Sequence, residues 1–164
     1  MDYTTVLIGV AQISLVLTGF VAVFMGFFAE AQSPSKPDVH HAFAMLAGSV
    51  LVLLLALLPI VLGAYGFNDS QLWYWASMSG VVMGVVFGAS MLRLTIKLTK
   101  EEFRQAGLLH MYSCYSLGTG ATGLMLWNVL VGAGPGHYLL AVVMNLMVAL
   151  VSFVAFSIQN FLKV

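Results

Sequence analysis

The chain is poor in charged side chains and has almost no cysteine. Only 7% of its 164 residues are Asp, Glu, Lys or Arg, whereas 61% are hydrophobic. A soluble core cannot hold so large an apolar fraction, so the composition predicts an integral membrane protein with lipid as its solvent and partner. The single cysteine, Cys114, excludes an internal disulfide and a four-cysteine metal knuckle. A formal net charge of zero argues against nucleic acid as a partner.

Charge is also missing from the middle of every long apolar segment. Each of five segments offers the roughly 20 apolar residues that cross a bilayer. They lie at about 3–29, 39–65, 70–97, 100–131 and 137–162. We therefore predict an all-α fold, one transmembrane domain over residues 1–164 built as a bundle of five helices. Proton-coupled carriers and ion pumps usually need an ionisable group deep in a span, so the sequence argues against both.

The basic side chains predict the orientation of this bundle. All six lie in the first connection, around the third connection or at the C-terminus: Lys36, Arg93, Lys97, Lys100, Arg104 and Lys163. Cytoplasmic connections collect Lys and Arg. The N-terminus should therefore face outwards and the C-terminus the cytoplasm, in a multi-pass protein of the plasma (inner) membrane.

Two stripes of small residues predict close packing between helices. The third segment carries Ala76, Gly80, Gly84 and Gly88 at four-residue spacing. The first carries Gly19 and Gly26 in register with Thr5 and Gln12, at a period of seven. Faces without large side chains let membrane helices approach closely. The sequence leaves open whether they meet within one chain or between copies, and we expect a homo-oligomer.

Uncharged polar residues mark the fifth segment and one level of the membrane. Along the fifth segment they recur every seven residues, as Tyr138, Asn145, Ser152 and Gln159. A rise of 1.5 Å per residue places four side chains at a similar depth, namely Gln12, Ser79, Thr122 and Asn145. Pro59 has no amide hydrogen, so the carbonyl of Leu55 lacks its usual helical hydrogen-bond donor. This layer either lines a pore or binds a polar solute, or it consists of interhelical hydrogen bonds.

Potential metal ligands gather at the predicted inner surface. They are Asp38, His40 and His41 at the start of the second segment, and His110 and Cys114 one turn apart in the fourth. These residue types are potential metal ligands, but their spacing is permissive rather than specific. We treat them as weak candidates and predict no metal and no cofactor.

The same survey argues against an enzyme. An intramembrane serine protease needs a histidine deep in a span, and aspartyl chemistry needs intramembrane carboxylates. The sequence supplies neither. The leading hypothesis is a homo-oligomeric channel or passive pathway for an ion or small polar solute, with Gln12 and Asn145 as selectivity groups. The alternative is a non-catalytic accessory or scaffold subunit that docks against another membrane protein.

Overall fold

Six α-helices make up the part of the chain that the computed structural model describes. That part is residues 2–31, 35–132 and 134–161, without the side chains of residues 24, 27–31 and 159–161. The helices are α1 Tyr3–Ala31, α2 Lys36–Ala64, α3 Asp69–Ile96, α4 Lys100–Gln105, α5 Leu108–Val131 and α6 Pro135–Phe161. Four of them, α1, α2, α3 and α6, are long and apolar enough to cross a membrane. Helix α5 has 24 residues and a length of about 36 Å, but Ser, Thr, Gly and His lower its hydropathy.

Side-chain caps determine where three helices begin. The sequence predicts a helix-start signal at Asn68 and Gln71 and a capping box from Thr99 to Glu102, and both are confirmed. Asn68 Oδ1 accepts from the Gln71 amide at 2.9 Å, and Thr99 forms a reciprocal capping box with Glu102. A further capping box joins Ser35 and Asp38. It starts α2 at Lys36 rather than at residue 39, since the box satisfies amides that would otherwise lack a partner.

Gly107 divides the predicted segment 100–131 into two helices. Its φ of +86° is a left-handed backbone value that favours glycine. The short helix α4 therefore ends at Gln105, and α5 starts in a new direction at Leu108. The sequence-based prediction of one continuous helix was wrong at this point, because it read the start signal at Thr99 and missed the glycine break.

Four helices form a closed ring with α1 on its outside. In that ring α2 contacts α3, α3 contacts α5, α5 contacts α6, and α6 contacts α2. Helix α1 lies against α2 and α6, and α4 touches the start of α2. The centre of the ring is apolar, with Leu55, Ala76, Ala121 and Met125 each at most 1% exposed.

The glycine stripe of α3 packs against α5 at some positions and not at others. Ala76 is fully buried, and a methyl group added at Gly80 or Gly84 would collide with Met125 or Thr122 of α5. At Gly88 the same addition would meet no described atom within 4 Å. The two helices therefore touch at Gly80 and Gly84 and are separated at Gly88.

Helix α1 presents its small residues outwards. Gly19 and Gly26 have no described atom within 4 Å of an added methyl group, and Thr5 and Gln12 on the same line are exposed. This face of α1 therefore makes no packing contact with the described helices of its own chain.

Candidate functional site

Seven polar side chains from four helices gather at the end of the ring that carries the basic connections. Lys36 marks this end by pairing with Glu102 at 3.3 Å, which joins the first and third connections. The gathered side chains are His40 and His41 of α2, Thr95 of α3, His110, Cys114 and Tyr115 of α5, and Ser152 of α6. All three histidines are at most 5% exposed.

One chain of hydrogen bonds in this cluster joins α2, α5 and α6. Ser152 Oγ donates to the Val148 carbonyl at 2.8 Å, so it accepts from His110 Nε2 at 3.0 Å. Neutral His110 then carries its proton on Nε2 and presents Nδ1 as an acceptor to His41 Nε2 at 3.1 Å. His41 Nε2 also lies 3.0 Å from the Ala106 carbonyl, at the break between α4 and α5. With both rings neutral, every donor in this chain meets an acceptor.

The Ala106 carbonyl is the backbone partner of His41. This carbonyl belongs to the last turn before Gly107, where the helical hydrogen-bond pattern is interrupted. A buried carbonyl without a donor is costly. The imidazole of His41 supplies that donor from α2, which fixes the turn between α4 and α5 against the bundle.

A second group of hydrogen bonds surrounds Thr95. Its hydroxyl donates to the Met91 carbonyl at 3.0 Å, and it lies 2.6 Å from Tyr115 Oη and 3.0 Å from His40 Nε2. Because the single Thr95 proton is directed at Met91, both neighbours act as donors to Thr95 Oγ1. The tautomer of His40 that results has an acceptor at Nδ1, and this buried atom has no hydrogen-bond partner among the described residues.

His40 and Tyr115 line a cavity of about 490 Å³ in the gap between α3 and α5. The glycines of both helices form its walls, from Gly84 and Gly88 on one side and Gly118 and Gly123 on the other. Asn145 and Val148 of α6 also line it. Exposed Val85 and Leu126 belong to the lining as well, so the cavity reaches the outer surface of the bundle. Its walls are mainly apolar, with polar groups from a few residues.

The residues expected at one level of the membrane do not form one layer within the chain. Thr122 and Asn145 line the cavity between α3 and α5, with Asn145 Nδ2 donating to the Ala141 carbonyl at 3.0 Å. Ser79 lies on a different surface, between α2 and α3, and Gln12 is exposed on α1. Equal depth did not imply contact, because these side chains point to different sides of the bundle.

The remaining pore candidates also have other surroundings. Ser152 is buried in the histidine cluster and Gln159 has a side chain outside the described residues. The Leu55 carbonyl, freed by Pro59, accepts from Tyr138 Oη at 2.6 Å and is therefore not a loose ligand.

The weak metal candidates do not form one ligand set. Asp38 belongs to the capping box at the start of α2. His110 Nδ1 and Nε2 and His41 Nε2 all take part in hydrogen bonds. Among the residues that the structure describes, no group of three or more His, Cys, Asp or Glu side chains is arranged to hold a metal ion.

Sequence reasoning missed the two residues that complete this site. Thr95 and Tyr115 lie on α3 and α5, and neither belongs to a motif with His40 in the sequence. Tyr115 lines the cavity, and Thr95 joins it to His40 by hydrogen bonds. The glycines on α5, Gly118 and Gly123, were the available signal, since small residues on both facing helices allow either close contact or an open gap.

Comparison with other proteins does not assign this site. No protein family matches the chain, and neither a curated protein nor a solved structure does.

Proposed function

We propose that this chain is an integral membrane protein that crosses the bilayer five times and binds a lipophilic small molecule in the cavity between α3 and α5. The fifth crossing is α5, which is long enough to span and packs between α3 and α6. The ion pair of Lys36 with Glu102 gathers the basic connections at one end, which supports a cytoplasmic location for that end. The membrane is the plasma (inner) membrane, with the N-terminus outside.

The observation that carries the proposed binding function is the composition and position of the cavity. Its volume of about 490 Å³ lies in the range of small-molecule sites. Its walls are glycine backbone and apolar side chains, and its opening between α3 and α5 faces the side of the bundle, where lipid would lie. A molecule dissolved in the bilayer can therefore enter without crossing a polar surface.

The polar end of the cavity favours a ligand that donates a hydrogen bond. Tyr115 belongs to the lining, and its Oη retains lone pairs after donating to Thr95 Oγ1. A hydroxyl or phenol head on an apolar body fits this cavity, because it can donate a hydrogen bond to that oxygen. A carboxylate or phosphate does not, because no Lys or Arg belongs to the described lining.

Paired ligands test this proposal in reconstituted nanodiscs. We expect saturable binding of 4-nonylphenol, and about threefold to tenfold weaker binding of 4-nonylanisole, whose methyl ether cannot donate a hydrogen bond. Tyr115→Phe should weaken phenol binding by a similar factor and leave ether binding unchanged. Tyr112→Phe, at a tyrosine of the same helix that is 67% exposed and lies outside the lining, is the matched control. Equal affinity for both ligands in the wild-type protein would contradict the proposal.

A second candidate function is a passive permeation pathway in a homo-oligomer. The observation that favours it is Gln12, whose carboxamide is exposed on α1 in line with Thr5, Gly19 and Gly26. An amide facing hydrocarbon needs a polar partner, and a second copy or a water-filled axis supplies one. Flux of K⁺ or of a small polar solute into liposomes, lost with Gln12→Leu, supports the pathway. Silent liposomes with a second polypeptide at fixed stoichiometry support an accessory subunit instead.

A further inference from the structure

A second cavity lies at the opposite end of the bundle from the basic connections. Its volume is about 400 Å³, and it is lined by three aromatic side chains, Tyr3, Trp73 and Tyr74, together with Asp69 and Asn128. Asp69 is the first residue of α3 and is exposed. No Lys, Arg or His belongs to the described lining. The cavity therefore combines aromatic rings with one carboxylate and no positive charge.

The aromatic rings are held in place by ring contacts. Tyr3 of α1 meets Trp73 of α3 edge to face, with centroids 6.0 Å apart and an interplanar angle of 82°. Trp73 in turn lies against Tyr138 of α6, with centroids 5.6 Å apart. Trp73 is only 9% exposed, whereas a residue that merely anchors the protein in the headgroup region would face outwards. Tyr3 and Tyr74 are each 39% exposed and leave the cavity accessible.

This chemistry selects an organic cation. The faces of Trp and Tyr rings carry partial negative charge and attract a cation within about 6 Å, and quaternary ammonium groups are bound in this way. The exposed carboxylate of Asp69 is negatively charged and also attracts a cation. A hard metal ion is a poor fit, because Ca²⁺ takes six to eight oxygen ligands and the lining contributes a single carboxylate. We infer that this cavity binds a quaternary ammonium group, carried either by a choline-type lipid headgroup or by a free solute.

Calorimetric titration in maltoside micelles tests the inference with choline and its neutral analogue 3,3-dimethylbutan-1-ol. We expect saturable choline binding and much weaker binding of the alcohol. Tyr3→Leu and Asp69→Asn should each weaken choline binding about threefold to tenfold, whereas Tyr3→Phe, which keeps the ring, should bind like wild type. Two controls at the same end are Tyr65→Leu, which removes an 80% exposed ring outside the cavity, and Asp2→Asn, which removes a charge outside it.

Nanodiscs distinguish the two sources of the cation. If a lipid headgroup occupies the cavity, phosphatidylcholine discs should suppress binding of free choline, and phosphatidylglycerol discs should not. If the ligand is a free solute, choline should bind in both. The inference is overturned if choline shows no saturable binding in micelles, if the neutral alcohol binds equally well, or if Tyr3→Leu and Asp69→Asn leave choline affinity unchanged. None of these results bears on the cavity between α3 and α5.

Discussion

Tyr138 of α6 donates its hydroxyl proton to the Leu55 carbonyl of α2 at 2.6 Å. The carbonyl lacks its helical partner because the residue one turn later is Pro59, which has no amide hydrogen. Both Tyr138 and Leu55 are at most 1% exposed, so solvent does not compete for the bond. A proline on one helix and a tyrosine on another thus form a single packing unit in the centre of the ring.

Loss of this hydroxyl should therefore destabilise the protein. We expect Tyr138→Phe to lower the free energy of unfolding by about 1–3 kcal/mol, because the Leu55 carbonyl remains buried without a donor. Denaturant titration in mixed micelles, followed by circular dichroism, measures the change. In a Pro59→Ala background the new amide can bond to Leu55, so the same substitution should cost much less there. An equal cost in both backgrounds would contradict the assigned role.

The contact between His41 and His110 should appear as an energetic coupling. Each single substitution to Ala should destabilise by about 0.5–2 kcal/mol in the membrane environment. The destabilisation of the double variant should be smaller than the sum of the two single effects by at least about 0.5 kcal/mol, as expected for side chains that share a hydrogen bond. The cycle is measured by denaturant unfolding. His137→Ala is the control and should change stability by less than about 0.5 kcal/mol.

The two halves of the α3 glycine stripe should respond differently to an added methyl group. At Gly84 the methyl would approach Thr122 Oγ1 to 2.5 Å, so Gly84→Ala should destabilise by about 1–3 kcal/mol. At Gly88 it meets no described atom within 4 Å, and the better helix propensity of alanine should leave stability unchanged or raise it by up to about 1 kcal/mol. Unfolding of the two variants in the same micelles decides the point. Equal destabilisation would show that the helices do not separate at Gly88.

Acid should weaken the link between the first and third connections. The Thr99 amide donates to Glu102 and Lys36 lies beside it, and both lower the pKa of that carboxyl below its ordinary value of 4.5. Because the pKa of Glu102 is lowered in the folded protein, its carboxylate contributes stability above pH 4.5. This contribution is lost as the pH falls below that value. The unfolding midpoint of wild type should therefore decrease more steeply than that of Glu102→Gln on acidification. Parallel decreases of the two unfolding midpoints would contradict this role of Glu102. Glu101→Gln is the matched control.

The sequence predicted the helices better than it predicted their mutual arrangement. Apolar length indicated the long helices, and local caps at Asn68 and Thr99 were correct because a cap depends on residues only three positions apart. Gly107 was missed because a single glycine carries no sign of its φ angle until the neighbouring helices are placed.

The contacts between side chains of the candidate site could not be predicted from the sequence. His40, His41 and His110 lie together in the structure, but the other side chains of the cluster, Thr95, Tyr115 and Ser152, come from α3, α5 and α6. Depth can be counted along a helix, whereas the direction in which a side chain points depends on the rotation of that helix in the bundle. Gln12 illustrates this, since it is exposed on α1 whereas Asn145 lines the cavity between α3 and α5.

The most direct test of the central claim fills the cavity between α3 and α5 and measures ligand affinity. Gly88→Leu places a side chain in the open half of the gap, and Gly9→Leu on α1, where an added methyl group also meets no described atom within 4 Å, is the matched control. Equilibrium binding of tritiated 4-nonylphenol in nanodiscs should fall at least about tenfold with Gly88→Leu, as expected for a ligand denied its apolar pocket. It should be unchanged with Gly9→Leu. Wild-type affinity in a folded Gly88→Leu variant would contradict the proposal that this cavity is the binding site.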